Sequence, residues 1–249
     1  MEQLTPEEKE LRLKLAELET LQIELSGAEL ELNTLKIELK LFEGHYIRET
    51  GPAYVRLDNL KADLAAVIAA YRTDDNVTKA MVRDLEERVR STKQSQKRSE
   101  KEKVLPTKFD ASPELKKLYR DAVKLIHPDL ADSNAGKQLG HRLMIELNDA
   151  FARNDIDQIK RIMDKWRSES RALKEIGIGG ELVRVIRKIA NARDRIAMVA
   201  DEMQELISSA IYQLWLSAAK DEDAFNKLSS KINGKVERLL DDVTRVLTE

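Results

Sequence analysis

Apolar residues recur in steps of three and four over residues 4–43, with polar residues between them, which is the spacing of one helix face. The seam consists of Leu18, Leu21, Leu25, Ala28, Leu32, Leu35, Leu39 and Phe42, and a second stripe consists of Ile23, Leu30 and Ile37. Thr5 offers a capping hydroxyl, and Pro6 followed by two acids suits a first helical turn. The pattern predicts one long helix that packs against more than one neighbour.

Glycine and proline interrupt this pattern at Gly44 and again at Gly51-Pro52. We therefore expect the first helix to end there and a second to run from about Tyr54 to Arg90, with a weak point at residues 73–76. The short break predicts an antiparallel hairpin. Residues 91–103 are polar and have no apolar face, which indicates a solvated helix end or a linker.

The C-terminal third shows the same helical spacing. A turn is predicted at residues 176–180, followed by a long helix with its seam at Leu182, Ile186, Ile189, Ile196, Ala200, Met203 and Ile207, interrupted by Arg193. A short apolar stretch at 211–216 and a polar turn at 220–223 precede a last helix, whose apolar positions are Phe225, Leu228, Ile232, Leu239, Val243 and Val246. No strand pattern competes with these helices.

The predicted fold class is all-α, with antiparallel coiled-coil helical hairpins flanking a small helical domain. The predicted domains are an N-terminal hairpin and linker at 1–103, a small domain at 104–170 and a C-terminal hairpin at 176–249. Heptads do not decide whether the hairpins pair within one chain or between chains, so a homo-oligomer stays open.

Composition agrees with long helices, because charged residues make up 35% and aromatic residues only 4%. The net charge of −2 gives no general attraction to nucleic acid or membrane. The absence of cysteine excludes disulfides and cysteine-ligated zinc. The first residues lack the features of a secretion signal, and no apolar run reaches the roughly 18 residues of a membrane span. We expect a cytoplasmic protein.

The segment with the most informative pattern begins at Ser112, a plausible N-cap, with Pro113 at the first helical position. One face of the predicted helix is apolar, with Leu115, Leu118, Tyr119, Ala122 and Ile126. The other is basic, with Lys116, Lys117, Arg120 and Lys124. Pro128 disfavours helical angles at His127, so the helix should end there and lead into the tripeptide His127-Pro128-Asp129.

This segment resembles the J domain of DnaJ-type co-chaperones. In that family a basic second helix with a Tyr-Arg pair leads into a His-Pro-Asp loop, and here Tyr119-Arg120 precedes His127 at the family spacing. Residues 147–151, Leu-Asn-Asp-Ala-Phe, are similar to the signature of the family's third helix. The resemblance covers about residues 113–167, and the flanking hairpins are similar, more loosely, to the coiled-coil extensions of specialised bacterial members.

Three departures from the family pattern are evident. No counterpart of its short first helix precedes Ser112, where Val104 to Phe109 stand instead, so Leu105 and Phe109 or a coiled-coil arm would have to cover the core. Leu130 follows the tripeptide where the family often has Lys. Neither a Gly/Phe-rich tract nor zinc-binding cysteines follow. A specialised member fits better than a general client-holding one.

The resemblance implies a co-chaperone, not an enzyme, that recruits a 70 kDa heat-shock (DnaK-type) chaperone and stimulates its ATPase, while the arms bind a client. The implied chaperone-binding residues are His127, Pro128, Asp129, Tyr119, Arg120, Lys116, Lys117, Lys124 and Asn148, with the tripeptide exposed at the tip of two antiparallel helices. No cofactor, metal or membrane is implied.

Two other functions stay open at this point. A structural scaffold would retain the J-like domain only as a degenerate, non-stimulating spacer. Nucleic-acid binding through Lys93, Lys97, Arg98, Lys101 and Lys103 is disfavoured, because acids are interleaved there and aromatic residues are absent.

Overall fold

The computed structural model describes residues 5–71, 76–101, 109–170, 178–221 and 223–248. Within these ranges the chain forms helices and no strand, which confirms the predicted all-α class. The α-helices are α1 (Pro6–Tyr71), α2 (Asn76–Lys101), α3 (Pro113–Ile126), α4 (Asn134–Ala152), α5 (Ile156–Ser170), α6 (Ile178–Ser208), α7 (Ala210–Ala218) and α8 (Ala224–Thr248). A 3₁₀ turn, Pro128–Leu130, lies between α3 and α4.

The chain divides into two compact units, each built from stretches that are far apart in the sequence. The first unit consists of Met1–Glu38 and Phe109–Ser209, and the second consists of Leu39–Lys108 and Ala210–Glu249. The division of the sequence at 1–103, 104–170 and 176–249 stays a prediction.

Helix α1 begins as its sequence predicts. The hydroxyl of Thr5 accepts a hydrogen bond from the Glu8 backbone N–H at 3.3 Å, and the Glu8 carboxylate accepts one from the Thr5 backbone N–H at 2.8 Å. This reciprocal pair is a capping box, which satisfies two backbone donors that a helix start leaves free. Most of the predicted seam is buried, including Leu18, Leu25 and Leu32, whereas Ile23 of the second stripe is exposed.

The predicted break at Gly44 and Gly51-Pro52 is wrong, because α1 continues through both positions to Tyr71. The second unit shows why. Ala53 and Leu57 are buried with Ile232 of α8, and the side chain of Gln96 on α2 lies against Gly51. Packing on both sides offsets the local cost of an interior proline. Residues 72–75, which include most of the predicted weak point at 73–76, lie outside the described ranges, and α2 begins at Asn76.

Polar contacts hold α2 and α8 against the second half of α1. Thr92 of α2 donates to the Asp58 carboxylate at 2.9 Å, and Arg56 donates to the side-chain oxygen of Asn233 on α8 at 2.7 Å. The Phe225 ring lies 4.8 Å from the His45 ring, centroid to centroid. The predicted polar turn before the last helix is confirmed at its described residues, since α7 ends at Ala218 and α8 begins at Ala224.

In the first unit, α6 uses a face shifted from the predicted seam. Val185, Ile189, Ala192 and Val199 are buried, whereas Ile186 is 46% exposed. Residues 171–177 lie outside the described ranges. The turn predicted at 176–180 is wrong where the structure describes it, because residues 178–180 form the first turn of α6, which begins at Ile178. In the described part of the chain, every helix is too short or too polar to cross a membrane.

Replacement of Pro52 should stabilise the second unit, because Pro52→Ala restores a backbone donor in the middle of α1 at an exposed position. We expect a gain of about 1–3 kcal/mol in the free energy of unfolding, measured by chemical denaturation. The matched control is Gly44→Ala, which meets no atom within 4 Å of its new Cβ and should add about 0.5–1 kcal/mol. A loss of stability in Pro52→Ala would show that the proline ring is needed for packing.

Candidate functional site

Helix α3 forms as its sequence predicts. The hydroxyl of Ser112 accepts a hydrogen bond from the Leu115 backbone N–H at 3.1 Å, and Pro113 occupies the first turn. Leu115, Tyr119, Ala122, Val123 and Ile126 are buried, and Leu118 is half-buried. This apolar face packs against α4 and α5, which makes the three helices one small bundle in the first unit.

Two of the predicted site residues meet inside this bundle. The hydroxyl of Tyr119 donates to the side-chain oxygen of Asn148 at 2.8 Å, and the Tyr119 ring lies 4.6 Å from that of Phe151. Tyr119 is fully buried, and this burial raises the pKa of its hydroxyl. Tyr119 and Asn148 therefore fix α3 against α4, and any effect on a partner would pass through that packing.

The predicted tripeptide lies in a tight turn at the end of α3. The Leu130 backbone N–H donates to the His127 carbonyl at 3.1 Å, and the Asp129 backbone N–H donates to His127 Nδ1 at 3.2 Å. Because Nδ1 accepts, these contacts assign a ring proton to Nε2. We call residues 127–130 the His-Pro-Asp turn. Ser133 then caps α4 by accepting from the Gly136 backbone N–H at 3.0 Å.

Helix α4 touches the backbone of this turn at Gly140. A Cβ added to Gly140 would lie 2.6 Å from the Ile126 carbonyl oxygen and 3.0 Å from the Pro128 Cα. Both neighbours are backbone atoms, which cannot move aside as a flexible side chain would. Glycine at this position lets α4 hold the turn in one conformation.

The expected exposure of the tripeptide is not observed. His127 is only 3% exposed and Pro128 is buried, while the Asp129 side chain retains 36% exposure. The turn does join two helices, as predicted, but parts of α1 and α6 cover it. The covering residues of α1 lie almost a hundred positions from His127 in the sequence. The sequence pattern of the J-like segment could therefore not reveal this cover.

The buried carboxylate of Glu29 joins the turn to both covering helices. Glu29 of α1 accepts from His127 Nε2 at 3.3 Å and from Arg195 Nε of α6 at 2.7 Å. Burial alone would raise the pKa of Glu29, but the hydrogen bonds from His127 and Arg195 outweigh it and lower the pKa. Arg195 also pairs with Glu202 at 2.9 Å, and Glu202 pairs with Lys36 at 2.8 Å. The buried charge is therefore neutralised by a network that joins both helices.

Further contacts hold the rest of the turn. Leu130 is buried in an apolar cluster with Leu18, Leu25, Val185, Ile189 and Ala192. Asn191 of α6 donates to the Asp129 carbonyl oxygen at 3.2 Å, and Lys188 pairs with Asp132 at 2.8 Å. We call the two covering segments, residues 18–29 of α1 and 185–195 of α6, the clamp.

Before Ser112, where the resemblance implies a short first helix, the core is covered by Phe109 instead. Phe109 is buried, and its ring lies 5.2 Å from that of Phe151. Phe109 thus covers part of this core, whereas Leu105, which was expected beside it, lies outside the described residues.

The basic face of α3 points away from this core. Lys117 is exposed, and Lys116, Arg120 and Lys124 are half-exposed. None of these four cations forms an ion pair with another residue in the described part of the chain. They form a cationic surface along α3.

Glu29 and Arg195 were not among the predicted site residues. Each has a signal in the sequence: Glu29 stands four positions after Leu25, and Arg195 stands three positions after Ala192, so both charges lie on buried helix faces. A charge on such a face demands a partner. Among the described residues, no group of three or more His, Asp or Glu side chains could hold a metal ion.

Comparison of the chain with protein-family models, with curated proteins and with solved structures finds no match.

Gly140 should not tolerate a side chain. Gly140→Ala would press a methyl group against the Ile126 carbonyl and the Pro128 backbone, and we expect a loss of about 1–3 kcal/mol in the free energy of unfolding. The matched control is Gly27→Ala in α1, where an added Cβ meets no atom within 4 Å, and which should be neutral or stabilising. Equal denaturation midpoints for the two variants would contradict the close approach.

Acid should weaken the clamp through Glu29. Its pKa in the folded chain is below the ordinary 4.5, so its contribution to stability is complete above that value and is lost as the pH falls through the folded pKa. We expect Glu29→Gln to lower the free energy of unfolding by about 1–3 kcal/mol at pH 7. Urea denaturation of both chains between pH 7 and pH 3 should show this difference shrinking below pH 4.5. A difference independent of pH would contradict an ionised Glu29.

Proposed function

We propose that this chain is a specialised J-domain co-chaperone, which recruits a 70 kDa heat-shock (DnaK-type) chaperone and stimulates its ATPase. The observation that carries the proposal is the joint position of His127, Pro128 and Asp129 in a turn held between a basic helix and its antiparallel neighbour. The chain itself catalyses nothing; it acts by binding. We place this activity in the cytoplasm, as expected from the sequence analysis.

The charge of α3 supports the proposed docking. Lys116, Arg120 and Lys124 follow one another at intervals of four, so they form a row along the helix beside Lys117. Such a row speeds encounter with an acidic surface and fixes the orientation of the complex. The resemblance implies that this surface belongs to the ATPase domain of the chaperone.

The turn supplies the proposed trigger. Asp129 offers a carboxylate that is partly exposed, and a charge-assisted hydrogen bond to a partner arginine suits it. Pro128 and the contact at Gly140 keep the turn rigid, which lowers the ordering cost of binding. Preferential binding to the hydrolysis-competent conformation of the chaperone would shift it toward hydrolysis. The arms outside the J-like bundle would bind the client.

A structural scaffold is the second candidate, and the burial of His127 favours it. In that case α3, α4 and α5 serve as a spacer. The charged residues of the turn then serve only to form ion pairs with the clamp. The scaffold predicts self-association or partner binding that is indifferent to the Asp129 side chain.

Asp129→Asn should separate the two candidates. In single-turnover assays with a cognate DnaK-type chaperone, we expect the full chain to accelerate ATP hydrolysis and the variant to reduce that acceleration about tenfold, the value of one lost charge-assisted hydrogen bond. The matched control is Asp121→Asn, an exposed carboxylate on α3 that should keep full stimulation. Circular dichroism checks that both variants fold. No stimulation by wild type would favour the scaffold, and equal stimulation by Asp129→Asn and wild type would contradict the role proposed for the Asp129 carboxylate.

A further inference from the structure

Four independent contacts from α1 and α6 cover the His-Pro-Asp turn or hold Asp132, two residues after it. Glu29 binds the His127 ring, Asn191 binds the Asp129 carbonyl, and Lys188 pairs with Asp132. The fourth contact is the burial of Leu130 among apolar residues of α1 and α6. No partner chaperone could reach the His127 ring or Pro128 while these contacts persist.

We infer that the clamp is an autoinhibitory device, which keeps the His-Pro-Asp turn closed and makes stimulation of the chaperone depend on displacement of α1 and α6. This inference rests on the proposed function, since it concerns the regulation of the same site. The open and closed forms differ in whether residues 18–29 and 185–195 cover the turn, and the partner binds only the open form.

The contacts divide into a part that the clamp supplies and a part that survives its removal. Gly140 against Pro128, the Asp129 N–H on His127 Nδ1 and the Tyr119–Asn148 hydrogen bond all lie within residues 113–152. Displacement of the clamp therefore exposes a turn that keeps its shape. The ring nitrogen Nε2 is released, because its partner Glu29 belongs to the clamp.

The basic face of α3 is left uncovered by the clamp, and its four cations remain accessible in the closed form. The closed chain can thus meet an acidic partner by electrostatic attraction without presenting His127 or Pro128. The device separates encounter from triggering. The chain's stimulation of the chaperone is limited by the fraction of molecules in the open form. The apparent affinity of the chaperone is lowered by that fraction, because the chaperone binds only the open form.

Leu130→Lys is the sharpest way to open the clamp. A lysine would place a charge in the apolar cluster of Leu18, Leu25 and Ile189, and charges are expelled from such surroundings. The matched control is Ile145→Lys, which makes the same chemical change on α4 at a side chain that is 71% exposed. Should Leu130→Lys unfold the unit, Arg195→Gln removes a partner of Glu29 without touching the apolar cluster.

The first readout is the reaction of histidines with diethyl pyrocarbonate, followed at each site by peptide mass spectrometry. The exposed His141 serves as an internal reference. In wild type and Ile145→Lys we expect His127 to react at least about tenfold more slowly than His141, because His127 is accessible only in the open form. A tenfold difference corresponds to a free energy of opening of only about 1.4 kcal/mol. In Leu130→Lys the two rates should be similar, and Arg195→Gln should be intermediate.

The second readout is single-turnover ATP hydrolysis by the chaperone. We expect Leu130→Lys to stimulate about tenfold more than wild type at equal concentration, and the double variant Leu130→Lys/Asp129→Asn to lose this gain. Because the chain has no cysteine, Asp132→Cys and Lys188→Cys can be joined specifically by a bis-maleimide with a reducible spacer. The cross-linked chain should not stimulate, and cleavage of the spacer should restore stimulation.

The two readouts distinguish the possible failures. Rapid modification of His127 in wild type, or stimulation by the cross-linked chain, would overturn the autoinhibition. The same conclusion follows if wild type and Leu130→Lys both stimulate hydrolysis and do so to the same degree. If Leu130→Lys exposes His127 and yet no variant stimulates, the proposed co-chaperone function is refuted instead.

Discussion

The buried carboxylate of Glu29 is the interaction on which the arrangement of the first unit depends. It stands on the inner face of α1, where a lone charge would be costly to keep away from water. His127 and Arg195 both donate to it, and Arg195 is itself fixed by Glu202. One charged group thus joins α1, α6 and the end of α3. Removal of any partner would leave a buried charge unsatisfied, which makes this junction specific as well as stabilising.

The local features of the fold could be predicted from the sequence because their causes are local. The capping hydroxyl of Ser112, the helix end before Pro128 and the buried face with Tyr119 each depend on residues within a few turns. The break at Gly51-Pro52 was predicted by the same local logic and is wrong. Contacts of α1 with Gln96 and Ile232 decide the outcome there, and neither lies near the break in the sequence.

The burial of the His-Pro-Asp turn belongs to the same class of long-range effects. No spacing rule places Glu29 beside His127, although a glutamate on a buried face signals that some partner exists. Leu130 carried a clearer signal, since it departs from the lysine that often follows the tripeptide in the J-domain family. Its burial among Leu18, Leu25 and Ile189 gives that departure a physical reason. The departure from the family pattern at Leu130 therefore signals the burial of the turn, which the matching residues do not.

The contact of Gly140 with the turn has a kinetic consequence. Helix α4 fixes the backbone of Ile126 and Pro128 whether or not the turn is covered. Displacement of the clamp therefore uncovers the His-Pro-Asp turn without any refolding of the turn. The rate of ligand binding to the turn would rise with ligand concentration only until displacement of α1 and α6 from the turn becomes the slow step. Above that concentration the binding rate would equal the rate of this displacement.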